Sequence, residues 1–504
     1  MLIYDLSKNC LVTSVAILYV LNLHSLKNVQ QYISFIKPTK NHLILFPLPI
    51  FFKTPPPKSS ITSFNLSAGY SLGGALNNCF LCKKNLGLNR FLDIRSYFQK
   101  VGFAFRALQS RNFRLFFSGQ IVSLLGTWIQ NLALGWLVYR ITGSSVLLGV
   151  VGFAGQIPAL VLTPIAGVFA DRVNRQKVLI VTQIIPMVMA FLLAWLVLTN
   201  RVQVWHIITL AVVNGMAMAF DTPFRHAFLL DMVGDKQLLQ NAIALNSTLI
   251  NSARFIGPTV GGFLIAMFGE GYCFLINGIS FLSVIGALMS MRVTQANRGK
   301  EHASVLNELK EGLSYSFSFK PIRYLLILVA ASSFLGMPFQ VFMPVFAKDI
   351  LGGDSQMLGL LTGSIGAGAL VGAFYLASQK SMKPIPSLIF ITSVVFGVGL
   401  SAFAMSRNAY LSIGLLFFVG FGMIVQFAST NTLLQTIVDE DKRGRVVALY
   451  SMSFMGITPL GSLLLGSLSD GLGVPITILI AGGCCLVASF FFFRKLHEVK
   501  AVVS

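Results

Sequence analysis

Twelve apolar runs, each about 18 residues or longer, follow one another from Phe113 to Phe493, and this recurrence limits the fold more than any single motif. A helix of about 20 apolar residues, rising 1.5 Å per residue, crosses the roughly 30 Å hydrocarbon layer of a bilayer. Within hydrocarbon the backbone must satisfy its own hydrogen bonds, which leaves only helices or closed barrels. Barrel strands would read as alternating segments of about ten residues, a pattern that is absent here. The expected fold is therefore an all-α membrane protein with twelve transmembrane helices. Charged residues make up 11% of the 504-residue chain, against roughly 25% in soluble domains, so a soluble enzyme is excluded.

The helices are read at 113–139, 145–170, 178–199, 203–224, 241–269, 271–291, 322–347, 356–379, 385–406, 408–434, 446–469 and 474–493. A formal net charge of +21 invites a nucleic-acid reading, so the placement of the charges decides what it means. With the stretch around Arg106 taken as cytoplasmic, Arg140, Arg201, Lys348 and Arg407 fall in connections on the opposite side. All other loop Lys and Arg of the core fall on the first side. Positive residues near helix ends resist translocation, which places both termini in the cytoplasm and the chain in the plasma (inner) membrane. The basic excess is then an orientation signal. Its partner is the lipid bilayer, and no nucleic acid is implied.

Residues 1–105 differ from the rest. They hold 11 Lys and Arg against 2 acids, two apolar runs too short to span, and the cluster Pro55, Pro56 and Pro57. No small-x-small cleavage site follows the first run. We read this segment as a basic N-terminal extension, either disordered or the product of an over-extended gene start. Cys79 and Cys82 form a single CxxC with no second pair, which does not make a metal site. No metal or cofactor is expected.

The longest polar connection, 296–320, separates a six-helix set in 106–295 from another in 321–504. Within it Val305, Leu309, Leu313 and Phe317 recur at four-residue spacing, as in a short helix lying on the membrane surface. The two sets resemble each other. Shifted by 204 positions, Leu229, Leu230, Asp235, Ala244, Leu245, Ser247, Gly257 and Gly262 meet Leu433, Leu434, Asp439, Ala448, Leu449, Ser451, Gly461 and Gly466. Parallel repeats of this kind imply two pseudo-symmetric bundles with a ligand cavity between them near the midplane.

At the end of the second helix stands GVFADRVNRQK, with Gly167, Asp171, Arg172, Arg175 and Lys177. It resembles the GxxxDRxGRK signature of the major facilitator superfamily, departing at Asn174, a residue that also tolerates the left-handed conformation. The resemblance implies that this loop is a gate. Asp171 would sit against the positive N-terminal end of the eleventh helix near Arg445, and that contact would exist only while the cytoplasmic side is closed. The second half keeps Gly372 but has Leu376 and Ala377 at the acid and arginine positions, so the latch is one-sided. The fifth helix carries ARFIGPTVGGF, with Gly257, Pro258, Gly261 and Gly262. This is similar to the GxxxGPxxGG motif of proton-driven exporters in the superfamily, with Ala253 in place of the leading glycine, and it favours export. With NFRLFFSGQIVSLLGTW (112–128) and DTPFRHAF (221–228), the chain from 106 to 495 resembles the drug and siderophore efflux branch that includes the enterobactin exporter and macrolide efflux proteins.

Arg254 is the one Lys or Arg well inside a helix, where charge is costly unless it faces a cavity or a partner. Two readings stay open: it binds an anionic substrate group, or it is a structural residue satisfied by amides and carbonyls. Gln120, Gln130, Asn131, Gln156, Asn214, Asn246, Asn251, Gln340, Gln426 and Asn431 are polar positions that lipid would not tolerate, and they are the candidate substrate-cavity lining. No Asp or Glu is expected deep in a helix. Asp171 and Asp221 are the nearest candidates for a proton carrier, with Asp221 expected where the fourth helix ends.

No HExxH and no GxxxxGK[ST] occurs, so neither that metalloprotease chemistry nor a P-loop ATP motor is indicated. The expected protein is not an enzyme. It is a secondary transporter that exports a small amphipathic molecule of drug or siderophore type by alternating access, in antiport with protons. The alternatives are an importer of the same fold and a non-transporting membrane sensor, and the oligomeric state is left open. Replacing Asp171 by Asn is expected to reduce transport several-fold while leaving membrane insertion intact, as measured by efflux rate per inserted molecule; normal turnover would remove the gate.

Overall fold

The structure, a computed structural model, describes residues 105–169, 173–293, 313–379, 381–440 and 442–502. Among these the chain is all-helical and carries twelve membrane-spanning helices. They are α1 (Arg111–Thr142), α2 (Ser145–Phe169), α3 (Arg175–Leu198), α4 (Val204–Val233), α5 (Lys236–Phe268) and α6 (Glu270–Ser290). The second half adds α7 (Lys320–Ile350), α8 (Ser355–Ala377), α9 (Ile385–Met405), α10 (Ala409–Ile437), α11 (Arg443–Leu472) and α12 (Val474–Lys500). The extension up to residue 104, Asp171, Arg172, Val305 and Leu309 lie outside the described residues. Leu313 and Phe317 fall in a helical turn at 313–318 and are exposed.

Local chemistry sets the helix ends. The Asn174 side chain accepts from the Lys177 amide at 3.0 Å and begins α3; Asp354 accepts from Gln356 and Met357 at 2.9 and 3.2 Å and begins α8. Asn174 has φ −67° and ψ 104°, so it is an N-cap in extended backbone. The left-handed conformation considered for it from sequence does not occur. Gly143 (φ +60°) and Gly234 (φ +75°) end α1 and α4, at a conformation that glycine adopts without Cβ strain.

Helices α4 and α5 are longer than the sequence suggested. Their connection shrinks to the residues between Val233 and Lys236, and α4 runs through DTPFRHAF without a break. Asp221 and Arg225, one turn apart, pair with each other, so the polar stretch continues the helix instead of ending it. At the other terminus α12 extends to Lys500, which brings Lys495 within 3.3 Å of Glu498.

Two helices are not regular. In α7 a π-helical turn (Ser332–Gly336) is followed by a 3-10 segment (Met337–Phe342) and a second π-turn (Phe346–Ile350). In α11 a π-turn occupies Met452–Gly456. Proline accounts for the placement of two of the three π-turns, because it lacks the amide and its ring clashes with the carbonyl four residues earlier. Pro338 and Pro459 each stand four residues after a position inside a π-turn, Phe334 and Met455. The Phe334 carbonyl, deprived of its helical partner by Pro338, is directed at the backbone of α11 at Gly461.

Lipid tails are as apolar as leucine, so helices associate here through close packing and hydrogen bonds. Within the first half α1 packs on α5 and α6, α2 on α4, and α3 on α4 and α6; within the second, α8 and α9 pack on α10, and α12 on α9 and α7. Phe346 and Phe403 stack with centroids 4.4 Å apart inside the second half. Between halves the extended contacts are α5 with α8 and α2 with α11. A Cβ on Gly359 would lie 2.7 Å from the Pro258 carbonyl and 2.9 Å from the Gly262 Cα. Gly359→Ala is therefore expected to cost about 1–3 kcal/mol by overpacking and to lower the melting temperature of the detergent-purified protein. Gly414→Ala, with nothing within 4 Å, should leave it unchanged.

Candidate functional site

Between the halves lies a cavity of about 840 Å³, lined by α1, α2, α4, α5, α7, α8 and α11. Its polar wall comprises Asn131, Gln156, Thr163, Asn214, Thr222, Gln340, Thr362, Ser451 and Arg445, and its apolar wall includes Trp128, Pro258, Met218, Met343 and Met455. Flexible, polarizable methionines beside a few amide groups suit an amphipathic ligand of variable shape. Both irregular helices contribute: Gln340 and Val341 stand on the 3-10 segment of α7, and Met452, Met455 and Gly456 on the π-turn of α11.

The two ends of the cavity differ. At the end opposite the start of α1 and the end of α12, Ser469 Oγ on α11 lies 2.8 Å from Ser145 Oγ on α2, and Ser355 Oγ on α8 donates to the Gly262 carbonyl on α5 at 3.1 Å. Tyr139 on α1 donates its hydroxyl to Asp349 on α7, and Lys348 lies 5.7 Å from the Tyr139 ring centroid. Gly149 and Gly466 bring α2 and α11 together, with their would-be Cβ positions 2.5 Å from the Ser462 carbonyl and 3.2 Å from the Gly149 Cα. At the end where α1 begins and α12 finishes, the cavity reaches Gly167 on α2 and Gly444 on α11, and no described atom lies within 4 Å of a Cβ added at either. Among the described residues, these hydrogen bonds and glycine contacts that join the halves all lie at the first end.

Of the polar residues singled out from sequence, Asn131, Gln156, Asn214 and Gln340 share this cavity. The others do not line it. Gln130 accepts from Asn277 Nδ2 on α6 at 2.8 Å, Gln426 donates to Ser332 Oγ on α7 at 2.8 Å, and Gln120 is buried within the first half. Asn251 donates to the Ser247 carbonyl at 2.8 Å, Asn431 accepts from Gln435 at 3.1 Å, and Asn246 is half-buried on α5. Such bonds join helices or close on their own helix, which sequence polarity alone does not separate from cavity lining. Trp128, Thr163, Thr222, Thr362 and Ser451 were missed, because a single hydroxyl or aromatic on a spanning helix carries no sign of the face it occupies.

The gate segment is described in part. Asp171 and Arg172 lie outside the described residues; Gly167 borders the cavity, Lys177 is exposed, and Arg175 pairs at 2.8 Å with Asp231 at the end of α4. The glycine motif of α5 faces two neighbours. Gly257 packs on Trp128 and Gly261 on Ile129 of α1, Gly262 packs on Ser355 and Gly359 of α8, and Pro258 borders the cavity.

One expectation needs correction. Asp221 does not end a helix: it is 8% exposed inside α4, where it accepts from Thr182 (3.1 Å) and Gln183 (2.6 Å) of α3 and pairs with Arg225. The run-on of α4 to Val233 buries it.

The match to known proteins spans the same region as the helices. The model of the family described as "Transmembrane secretion effector", within the major facilitator superfamily, matches residues 103–503. The chain belongs to that family. It is a secondary transporter of small molecules and not an enzyme, a multi-pass protein of the inner membrane. Among curated relatives, the staphyloferrin A transporter of Staphylococcus aureus is 26% identical over 394 residues, covering 77% of this chain and 97% of that protein. The multidrug efflux pump Tap of Mycolicibacterium fortuitum is 27% identical, covering 70% and 88%; macrolide efflux protein A of Streptococcus pyogenes is 23% identical, covering 73% and 92%. Among solved structures, a bacterial homolog of the human lysosomal transporter Spinster, in an inward-facing and unoccupied conformation, aligns with a TM-score of 0.62 at 12% identity, covering 78% of this chain and 98% of that one. The nucleoside transporter NupG gives 0.57 at 14% identity, covering 76% and 98%. These last two support the fold alone.

The buried carboxylate generates a prediction. Asp221→Ala leaves Arg225 and Gln183 without their partner in a largely dry site, and is expected to cost about 3 kcal/mol, read as loss of folded protein in a thermal ramp of the purified transporter.

Proposed function

We propose that this transporter exports a small amphipathic molecule, of drug or siderophore type, from the cytoplasm by alternating access. The single observation that carries the reading is the asymmetry of the cavity, joined across the halves at one end and reaching Gly167 and Gly444 at the other. With the termini cytoplasmic, as the distribution of Lys and Arg favours, this is an inward-facing state that takes its substrate from inside the cell. The names of the relatives, two of them efflux proteins, support the direction, and the glycine motif on α5 agrees with them.

In the same reading, residues 106–295 and 321–504 act as two six-helix bundles that rock about the substrate. Closing the cytoplasmic end would bring Asp171 against the N-terminal turn of α11, whose partial positive charge favours the carboxylate. Substrate exit then requires the contacts Ser145 to Ser469 and Tyr139 to Asp349 to part. Protons exchanged in antiport would supply the driving force.

Two measurements test the proposal. Ser145→Cys with Ser469→Cys, in a cysteine-free background, is expected to form a disulfide that abolishes efflux and to regain most of it on reduction; unchanged efflux in the oxidised pair would remove the gating scheme. Intact cells lacking their own pumps should accumulate less of at least one amphipathic test compound when the chain is expressed, and a protonophore should erase the difference. Greater accumulation would mean uptake.

A further inference from the structure

Among the described residues Arg254 has no acidic partner. It stands on α5 one turn before Pro258, which borders the cavity; Arg254 is not itself among the lining residues, but residues four apart share one helix face, so it lies next to the lining. Its guanidinium carbon lies 5.1 Å from the ring centroid of Trp128, which also lines the cavity. Its Nε is buried and makes no hydrogen bond, and among the described residues no carboxylate pairs with the group. The backbone here cannot slide away, because a Cβ on Gly366 of α8 would lie 2.6 Å from the Arg254 carbonyl and one on Gly257 would lie 2.5 Å from Trp128 Cβ.

A structural arginine would be saturated by carbonyls, amides or acids. Three other arginines of the spanning helices are paired with acids: Arg225 with Asp221, Arg175 with Asp231, and Arg140 with Glu270 at 2.7 Å. The second guanidinium with an unpartnered Nε, Arg443, belongs to the first turn of α11 at the membrane-face end, away from the cavity's centre. The described cavity lining contains no Asp or Glu, and its one charged member is Arg445. A guanidinium without an acidic partner in a low-dielectric setting repels cations and favours an anion whose oxygens can accept from its planar fork.

We propose that Arg254 is the anion-recognition subsite of the transporter and that its substrates are amphipathic carboxylates, with the carboxylate on Arg254 and an adjoining flat or apolar part on Trp128. This rests on the reading of the cavity as the substrate site and narrows it to one class of substrate. The guanidinium alone is half satisfied by the Trp128 ring, as a cation over an aromatic face, and the carboxylate completes it.

The test uses the purified full chain and three probes with one fluorophore: dansyl-phenylalanine, its neutral methyl ester, and the cation dansyl-cadaverine. Binding is read by energy transfer from tryptophan. The wild type is expected to bind the acid at least tenfold more tightly than the ester and the cation most weakly. Arg254→Gln should lower the acid's affinity at least tenfold and the ester's by less than threefold, abolishing the discrimination. Arg254→Lys, which keeps the charge but not the fork, should retain part of the preference and serves should the glutamine variant fail to fold. Equal loss of acid and ester in either variant would mark Arg254 as structural and overturn the proposal, as would a wild type that binds acid and ester alike or prefers the cation. Binding in detergent is blind to direction, so failure of export in cells and failure of this subsite are read separately.

Discussion

Backbone contact between helices of opposite halves, at Gly262 with Gly359 and at Gly149 with Gly466, is the constraint on which the rest of the structure depends. In a bilayer the hydrophobic effect does not press one helix against another, and association relies on surfaces close enough for dispersion and for carbonyls to meet small residues. Each of these contacts lies toward the end away from the start of α1 and the end of α12. Helices that touch at one end and diverge from it leave a space between them, and that space is the cavity.

The duplication first seen in the sequence is repeated in the contacts. Gly257 of α5 packs on Trp128 of α1, and Gly461, 204 positions on, packs on Phe334 of α7. Gly262 meets Ser355 and Gly359 of α8, while Gly466 meets Ser145 and Gly149 of α2. The correspondence is not complete, because α7 and α11 contain π-turns where α1 and α5 are regular. The π-turn of α11 places Met452, Met455 and Gly456 on the cavity, and Gln340 reaches it from the 3-10 segment of α7. The first half offers the wall, the second half the irregularity.

Charge follows a different rule. Arg140 with Glu270 and Arg175 with Asp231 fasten helix ends within one half, and Asp221 is held by two helices at once. None of these groups faces the substrate space. A low-dielectric interior tolerates ions that are matched, and these paired ones act as fasteners.

Much of this was legible in the residues. Length and continuity of the apolar runs fixed twelve helices, because hydrocarbon admits no other way to satisfy the backbone, and the loop motif with GPTVGG pointed to the superfamily that the family match then showed. The sequence misjudged where polar stretches end a helix, since the pairing of Asp221 with Arg225 and with α3 is a tertiary event. It also could not divide Asn131, Gln156, Asn214 and Gln340 from Gln130 and Gln426. All six are polar residues on apolar helices, and only the packing of α6 on α1 and of α7 on α10 shows which amides are consumed between helices. The order of residues along the chain thus determined that this protein crosses the membrane twelve times in two related sets. Which faces meet, and which end is joined, was decided by tertiary structure alone, because in lipid those choices depend on the fit of one helix surface to another and not on how apolar either is.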